Sequence, residues 1–366
     1  MHIAYLCPSP TFGMHQYTAD LANRMVQRGH TVEVVASAHL PAGRVAAGVT
    51  IRTPIANRTT GFSAEALVRA AYRAVHDTLL ALDAEVVHVT SPHLWNPLWM
   101  AALRSRDVPV VHTLHDLDPH RGSSFGWLIR LWNRAVIREA DHIVVHGERY
   151  RMRLLARGVP PQQVTELPLL HLFLGNNPLA EADRVAAAAV HEPWALFFGR
   201  LERYKGIEHL LAAAAMLELG PAPRVVIAGP GRIEALWAGA LPRQVELRNR
   251  LIMDDEAIEL FRRCGCLVLP YVDATQSALI AAAYFFHKPV VVTRTGALPE
   301  YVAQGQTGLV VEPAHPASLC RTLEQLLSAP ARMRQMGEAG RIWYNSAHIA
   351  EEQALLGLYN RLGHRN

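Results

Sequence analysis

The sequence predicts an α/β protein built as two doubly wound parallel sheets in series. Three observations carry that expectation. Short apolar runs alternate with stretches of helical period along the whole chain, and the runs are apolar throughout, as strands covered on both faces are. The alternation breaks once, near the middle, and then restarts. Finally, 366 residues with 50% hydrophobic and 19% charged side chains suffice for two or three cores and exclude a disordered chain.

Taken in order, His2–Cys7 reads as a buried strand and residues 17–28 as an amphipathic helix closed by Gly29. Further strands are expected at 31–36, 86–90, 108–114 and 142–146, with helices at 63–82, 97–106 and 127–140 between them. Around 170–192 the pattern gives way to a loop (Gly175, Asn176, Asn177, Pro178) and an alanine-rich stretch. It resumes with strands at 194–198, 224–228, 246–249, 266–269, 289–293 and 309–311. Helices are expected at 207–219, 255–263, 277–286, 316–327 and 349–362. The domain division is therefore 1–172, a linker 173–192, a second domain 193–346, and a terminal helix 347–366 that crosses back to the first. Ligands of such sheets sit beyond the carboxyl ends of the strands, so a cleft is expected where the two domains face each other.

Composition narrows the function. The balance of 36 basic and 32 acidic residues, +4 with a pI near 9.0, is too slight for a nucleic-acid-coating protein. It suits an anionic small molecule or an acidic membrane face. Four cysteines (Cys7, Cys264, Cys266, Cys320) are too few for a disulfide framework. No charged leader precedes the first strand, and no apolar run reaches the ~20 residues a spanning helix needs. A cytoplasmic protein is expected. Lysine is nearly absent: Lys205 and Lys288 stand alone among arginines, and a compact point charge is one reason to keep a lysine.

Candidate chemistry clusters at strand ends. Gly13 lies between the first strand and helix, where backbone amides can approach an anion or simply form an ordinary turn. A dinucleotide fingerprint is missing from that turn. The second half opens with Gly199-Arg200-Leu201-Glu202-Arg203-Tyr204-Lys205-Gly206, a strand end followed by two cations, which suits a diphosphate that gains charge on leaving. Gly229-Pro230-Gly231 ends another strand at the same edge. Asp273-Ala274-Thr275-Gln276-Ser277-Ala278 then feeds a helix that Asp273 or Thr275 could cap, and Gly296, Pro299 and Glu300 form a later turn.

The ordered set G-R-L-x3-K-G, A-G-P-G, L-P-Y-x2-A-T-Q-S, K-P-V-V and G-x-L-P-E resembles the C-terminal domain of GT-B glycosyltransferases of family GT4. Gly29-His30-Thr31-Val32, Glu85-Val86-Val87-His88, His115-Asp116 and residues 141–147 are similar to that family's N-terminal motifs. The resemblance implies a retaining transfer of sugar from a nucleotide-diphosphate sugar to a hydroxyl acceptor, with no metal or other cofactor. It assigns Arg200 and Lys205 to the donor diphosphate and Gly13 to phosphate approach. His115 falls near the transferred sugar and acceptor. Gly199, Gly229, Asp273, Thr275, Gln276, Ser277 and Ala278 face the donor, with Glu300 behind them.

Two departures stand out. Where the family carries two glutamates eight residues apart, this chain has Ala274 and Ala282, and a lost carboxylate partner costs about 1.5–3 kcal/mol of charge-assisted hydrogen bonding. This points to a branch with an altered A-T-Q-S pocket. It also leaves open a non-catalytic nucleotide-sugar-binding scaffold, and, against the shortage of acids, an epimerase on the same fold. His287 stands where glycine is usual and reads as a surface histidine. His88, His93, His112, His115 and His120 cluster without metal-ligand spacing. Residues 123–138 mix Phe125, Trp127, Leu128, Leu131 and Trp132 with Arg130, Arg134 and Arg138. That segment either lies on an anionic membrane, at the inner face, or packs its aromatic side into the core.

Overall fold

The computed structural model describes residues 1–55, 61–62, 64–117, 126–172, 183–184, 186–220 and 224–364. The chain divides into two compact units, Met1–Asn176 with Ile349–Asn366, and Asn177–His348.

The first unit holds a seven-stranded sheet in the order β3-β2-β1-β4-β5-β6-β7. The strands are β1 (His2–Cys7), β2 (Thr31–Ser37), β3 (Val49–Ile55), β4 (Val86–Val89), β5 (Val110–Thr113), β6 (His142–Val145) and β7 (Val164–Glu166). All pairings are parallel, with Tyr5 opposite Val34 on one side and His88 on the other. β4, β5 and β6 are buried along their whole length, which is why they are rich in valine, although each also carries one histidine. The crossovers are α1 (Phe12–Gln27), α2 (Arg69–Leu80), α3 (Asn96–Arg104), α4 (Gly126–Glu139) and α5 (Glu148–Leu155).

Several elements differ from the sequence expectation. β3 and β7 were not expected: β3 is an edge strand with exposed polar residues, and β7 is three residues long. α5 was missed because ERYRMRLL carries three arginines and little apolar signal. α1 starts at Phe12, five residues before its expected beginning, because its first turns bury the polar His15 and Gln16. Gly13 therefore sits in the first turn of a helix and not in a loop.

The second unit repeats the plan with six parallel strands in the order β10-β9-β8-β11-β12-β13. These are β8 (Ala195–Phe198), β9 (Val225–Ala228), β10 (Val245–Arg248), β11 (Cys266–Leu269), β12 (Val290–Thr293) and β13 (Gly308–Val311). Its helices are α6 (Ile207–Ala215), α7 (Asp254–Arg263), α8 (Leu279–Phe285), α9 (Pro316–Leu327) and α10 (Pro330–Gly363). In each sheet the strand order reverses once, between β1 and β4 and between β8 and β11.

The 175–178 loop of the expected linker lies outside the described residues. Residues 190–192, also expected in the linker, are instead tied into the second unit: Val190 and Glu192 N–H donate to the carbonyls of Arg262 and Arg263 at 3.0 and 2.9 Å. The terminal helix is longer than its 349–362 expectation. Its first half contains Gly337, whose position leaves no room for a side chain because a Cβ there would stand 1.9 Å from the His287 carbonyl oxygen. Such close approach breaks the periodic apolar pattern from which helices are read. From Ile349 onward the helix counts with the first unit, where Glu351 accepts from Arg24 at 2.9 Å and the Tyr359 hydroxyl lies 2.6 Å from His88 Nδ1.

Candidate functional site

Doubly wound sheets bind ligands beyond the strand ends at the reversal of strand order. In the second unit that point lies between β8 and β11, and the loops leaving these two strands hold most of the candidates. β8 exits through Gly199 and Arg200, turns through Arg203–Lys205 and enters α6 at Ile207. The N–H groups of Val272 and Asp273 donate to the Tyr204 carbonyl at 2.8 and 3.2 Å, tying this turn to the β11 exit.

Lys205 is thereby laid over the end of β8. Its Nζ is 2.8 Å from where a Cβ on Gly199 would stand, and 5.3 Å from the centre of the Tyr271 ring. Among the described residues no carboxylate pairs with it. The β9 exit packs from the other side: Gly229 has φ 145°, and a Cβ there would stand 2.1 Å from the Gly199 carbonyl oxygen. Only glycine lets the two strand ends lie that close. Arg200 is different, with its side chain 69% exposed and Nη1 3.0 Å from Glu202 Oε1.

The 273–278 stretch closes the same edge. Thr275 and Ser277 are buried, and the Thr275 carbonyl accepts from Ala297 N–H at 2.9 Å, which joins the loop to the β12 exit. Neither Asp273 nor Thr275 caps α8, contrary to the sequence expectation. The loop is committed to these other contacts until Ala278 occupies the N-cap, without a side-chain hydrogen bond. Gln276 Oε1 is buried with no partner among the described residues. Ala274 and Ala282, at the family's glutamate positions, are both buried. Glu300 is exposed in the Leu298–Tyr301 turn, its N–H donating to the Ala297 carbonyl at 3.0 Å. The second-unit candidates thus converge on one sheet edge, with Arg200 and Glu300 at its exposed margin.

Gly13 and His115 belong to the first unit. A side chain at Gly13 would meet nothing within 4 Å, so the first turn of α1 is open there. His115 follows β5 and is buried. Its Nε2 lies 2.9 Å from the Thr90 carbonyl, which can only accept, so Nε2 carries the proton. Burial lowers its pKa and keeps the ring neutral, which leaves Nδ1 as a lone-pair acceptor with no partner among the described residues. Tyr17 and His146 flank it, with ring centres at 5.2 and 5.1 Å.

The neighbouring histidines are held inside a polar network. His88 Nδ1 lies 2.6 Å from the Tyr359 hydroxyl and Nε2 2.8 Å from Thr113 Oγ1. Burial pushes His93 to about 4, His112 to about 3 and His171 to about 4. His171, buried beyond β7, had no motif around it to mark it in the sequence. Among the described residues no group of three or more His, Cys, Asp or Glu side chains is arranged to hold a metal ion. His120 lies outside the described residues.

Two further sequence features resolve differently from each other. Lys288 is fully buried; its Nζ donates to the Val190 carbonyl and burial lowers its pKa to about 8. This lysine is a packing group. His287 is not a free surface residue: it adopts φ 57°, where glycine is usual, its Nδ1 lies 3.0 Å from Glu338, and its carbonyl accepts from His191 at 2.8 Å.

Helix α4 faces two ways. Trp132 turns inward, its Nε1 donating to the His93 carbonyl at 3.0 Å. Trp127, Leu128 and Leu131 are 56, 45 and 50% exposed, beside exposed Arg130, Arg134 and Arg138. Residues 123–125 of that segment lie outside the described residues. No described helix is long and apolar enough to cross a membrane.

Comparison with known proteins bears on both units. The Glycosyl transferase 4-like domain family matches residues 12–169, and the Glycosyl transferases group 1 family matches residues 180–343. The chain is 27% identical over 359 residues to a D-inositol 3-phosphate glycosyltransferase of Mycobacterium sp. (strain KMS), covering 88% of this chain and 80% of the relative. A protein of the same name from Thermobifida fusca is 26% identical, with 90 and 83% covered. Among solved structures, sucrose-phosphate synthase from Thermosynechococcus elongatus superposes with a TM-score of 0.78 at 21% identity, over the full length of both chains. Anabaena HepE in complex with UDP-glucose gives 0.67 at 15% identity, covering 98% of this chain and all of that one.

Proposed function

The chain belongs to the GT4-type glycosyltransferases of GT-B fold, and from that premise we propose how it moves a sugar from its nucleotide-diphosphate donor to a hydroxyl acceptor. The observation that carries the reading is Lys205, a cation with no carboxylate partner among the described residues, fixed over a glycine strand end where strand order reverses. Lys205 holds the donor diphosphate, and Arg200 adds a second cation once Glu202 releases it. Gly199 and Gly229 keep the floor low enough for phosphate oxygens to approach the backbone. Asp273, Thr275, Gln276, Ser277 and Ala278 border the donor, and Glu300 supports the turn behind it. Gly13, in the open first turn of α1, offers backbone amides to phosphate.

Catalysis in this proposal is electrostatic and positional. As the bond to the anomeric carbon breaks, negative charge grows on the departing diphosphate, and a fixed ammonium in a partly dry site stabilises it more than the ground state. His115 takes part through Nδ1, which accepts a hydrogen bond from a hydroxyl of the sugar or acceptor. The acceptor oxygen attacks from the face the diphosphate leaves and passes its proton to the departing phosphate oxygen, so configuration is retained, without a covalent enzyme intermediate. No metal or other cofactor is needed, since the cations are the protein's own. The reading extends to an enzyme resting on the cytoplasmic face of an anionic membrane through Trp127, Leu128 and Leu131 of α4.

A panel of nucleoside diphosphates tests it. UDP leads the panel, because HepE is seen with UDP-glucose, and D-inositol 3-phosphate leads the trial acceptors because of the relatives' name. One diphosphate should raise the melting temperature saturably, and its sugar derivative should be turned over. Binding without any turnover would support the scaffold instead. No binding by any member would overturn the site.

A further inference from the structure

We propose that a pocket between α4 and the α5–β7 connection is a binding site for a phosphate ester carrying a free hydroxyl. The pocket encloses about 430 Å3 and is lined by Arg130, Asn133, Arg134, Ile137, Arg157 and Val159. Of the six described residues that line it, three are arginines and none is acidic. Guanidinium groups present paired N–H donors that match phosphate oxygens two at a time, which makes such a trio a phosphate cradle.

The sequence places these charges against its own helix. Arg130 and Arg134 are one turn apart, as are Arg134 and Arg138, and like charges at that spacing weaken a helix. Residues 126–160 carry seven arginines and three acidic residues, a net +4 that equals the formal charge of the entire chain; the rest of the protein is neutral in balance. Three of these arginines, Arg130, Arg134 and Arg157, line the pocket, whereas Arg138 and Arg151 are paired with Glu139 and Glu148 at 2.6 and 3.0 Å.

Asn133 supplies the second half of the recognition. It is buried, and its Nδ2 donates to the carbonyls of Asp116 and Leu117 at 3.1 and 2.8 Å, which fixes the orientation of the amide. Its Oδ1 is then left buried with no partner among the described residues. An unmet acceptor in a pocket of donors calls for a ligand with a hydroxyl beside its phosphate. Arg157 and Val159 follow α5 at the amino-terminal edge of the sheet, whereas His115 follows β5 at the carboxyl edge. Asn133, through its bonds to Asp116 and Leu117, reaches the loop that follows His115, but none of the described residues lining the pocket is among the groups assigned to transfer. Two sources share this chemistry, a glycerophosphate lipid headgroup and a free polyol phosphate.

The test uses the full chain and two probes. Glycerol 1-phosphate is titrated calorimetrically, and vesicles of phosphatidylglycerol are compared with vesicles of phosphatidylcholine by co-sedimentation. Saturable binding of one glycerol 1-phosphate per chain identifies the free source, and binding to phosphatidylglycerol vesicles alone identifies the headgroup. In either case the combined Arg130→Gln, Arg134→Gln, Arg157→Gln variant should bind about 100-fold more weakly, at roughly fivefold per arginine. Its turnover of donor by water should match the parent's, so failure here is distinguishable from failure of the transfer reading. Should the triple variant not fold, Arg134→Gln alone should lose about fivefold. Absence of binding to both probes, or equal binding by parent and variant, overturns the proposal.

Discussion

Replacing Lys205 by methionine keeps the length of the side chain and removes its charge. The magnitude follows from where the ammonium sits. Lys205 has no carboxylate partner among the described residues and lies against Gly199 and the Tyr271 ring, so its field is not neutralised locally. Loss of one preorganised group aimed at developing charge lowers turnover about 100- to 1,000-fold, or roughly 2.7–4 kcal/mol. Arg200 is exposed and already paired with Glu202 at 3.0 Å, so Arg200→Met should cost far less, about tenfold, as for a solvent-screened charge. Folding is spared, because Lys205 contributes only its contacts with the Tyr271 and Tyr204 rings, about 0.5–1 kcal/mol each.

The assay is release of nucleoside diphosphate at limiting donor, read beside the melting temperature of the ligand-free protein. Lys205→Met should show a melting temperature within a few degrees of the parent and kcat/KM down by two to three decades. If Lys205→Met stays within threefold of the parent, or Arg200→Met proves the more damaging of the two, the assignment of the diphosphate to Lys205 is wrong.

Three further outcomes are expected. Glu202→Gln frees Arg200 from its ion pair and should lower KM for donor severalfold with kcat little changed; an increase in KM would show that the pair itself shapes the site. Gly229→Ala drives a Cβ against the Gly199 carbonyl at 2.1 Å and should destabilise the second unit by on the order of 3 kcal/mol, seen as a lower urea midpoint; parental stability would mean that the two strand ends are not packed as described. Stability should fall as pH drops from 6.5 towards 4. His93 and His171, depressed by burial to about 4, and His112, to about 3, bind protons in the unfolded chain before they do in the folded one, so the first two each contribute about 3 kcal/mol at neutral pH that is lost through this window, and His112 about 5 kcal/mol that is fully lost only near pH 3. A urea midpoint unchanged between pH 7 and pH 5 would contradict the buried, neutral state of these rings.

What the sequence revealed follows from burial. β4, β5, β6, β11 and β12 are covered on both faces, and such strands announce themselves as runs of valine, isoleucine and leucine. Edges do not: β3 and β7 lie at one side of their sheet or the other, carry polar residues and pass for loop. Helix beginnings were obscured for a related reason. The first turns of α1 bury His15 and Gln16 through hydrogen bonds, His15 Nε2 lying 3.1 Å from Ser37 Oγ, and a hydrophobic period cannot register that kind of burial. Among the candidates, Lys205 and Gly199 were legible because a strand end, a glycine and a rare lysine coincide in one motif, and Gly229 because a second strand ends in Gly-Pro-Gly. Gln276 was named only as one residue of a matching loop; its buried, unpartnered Oε1 is a property of the folded loop. His171 and the orphan Oδ1 of Asn133 were invisible, since the burial of one and the amide orientation of the other are set by the folded chain and not by any local motif.

The alanines at 274 and 282 gain a physical meaning from that loop. Both are buried, so the methyl groups are packed wall and not a solvent gap left by a lost carboxylate. A donor that expected two charged acceptors would find none there, and desolvating its hydroxyls against methyls would cost affinity. The same edge nevertheless retains one acceptor, Gln276 Oε1, buried and unmet only two residues from Ala274. An amide oxygen accepts a hydrogen bond from a hydroxyl without adding negative charge beside the diphosphate that Lys205 is proposed to hold. Arg200 is already engaged by Glu202, and each further carboxylate at this edge would compete with a bound diphosphate for the cations. Replacing the family's two acids by alanine while keeping one amide acceptor therefore lowers the negative charge at this edge, which acts on the same electrostatic balance as Lys205.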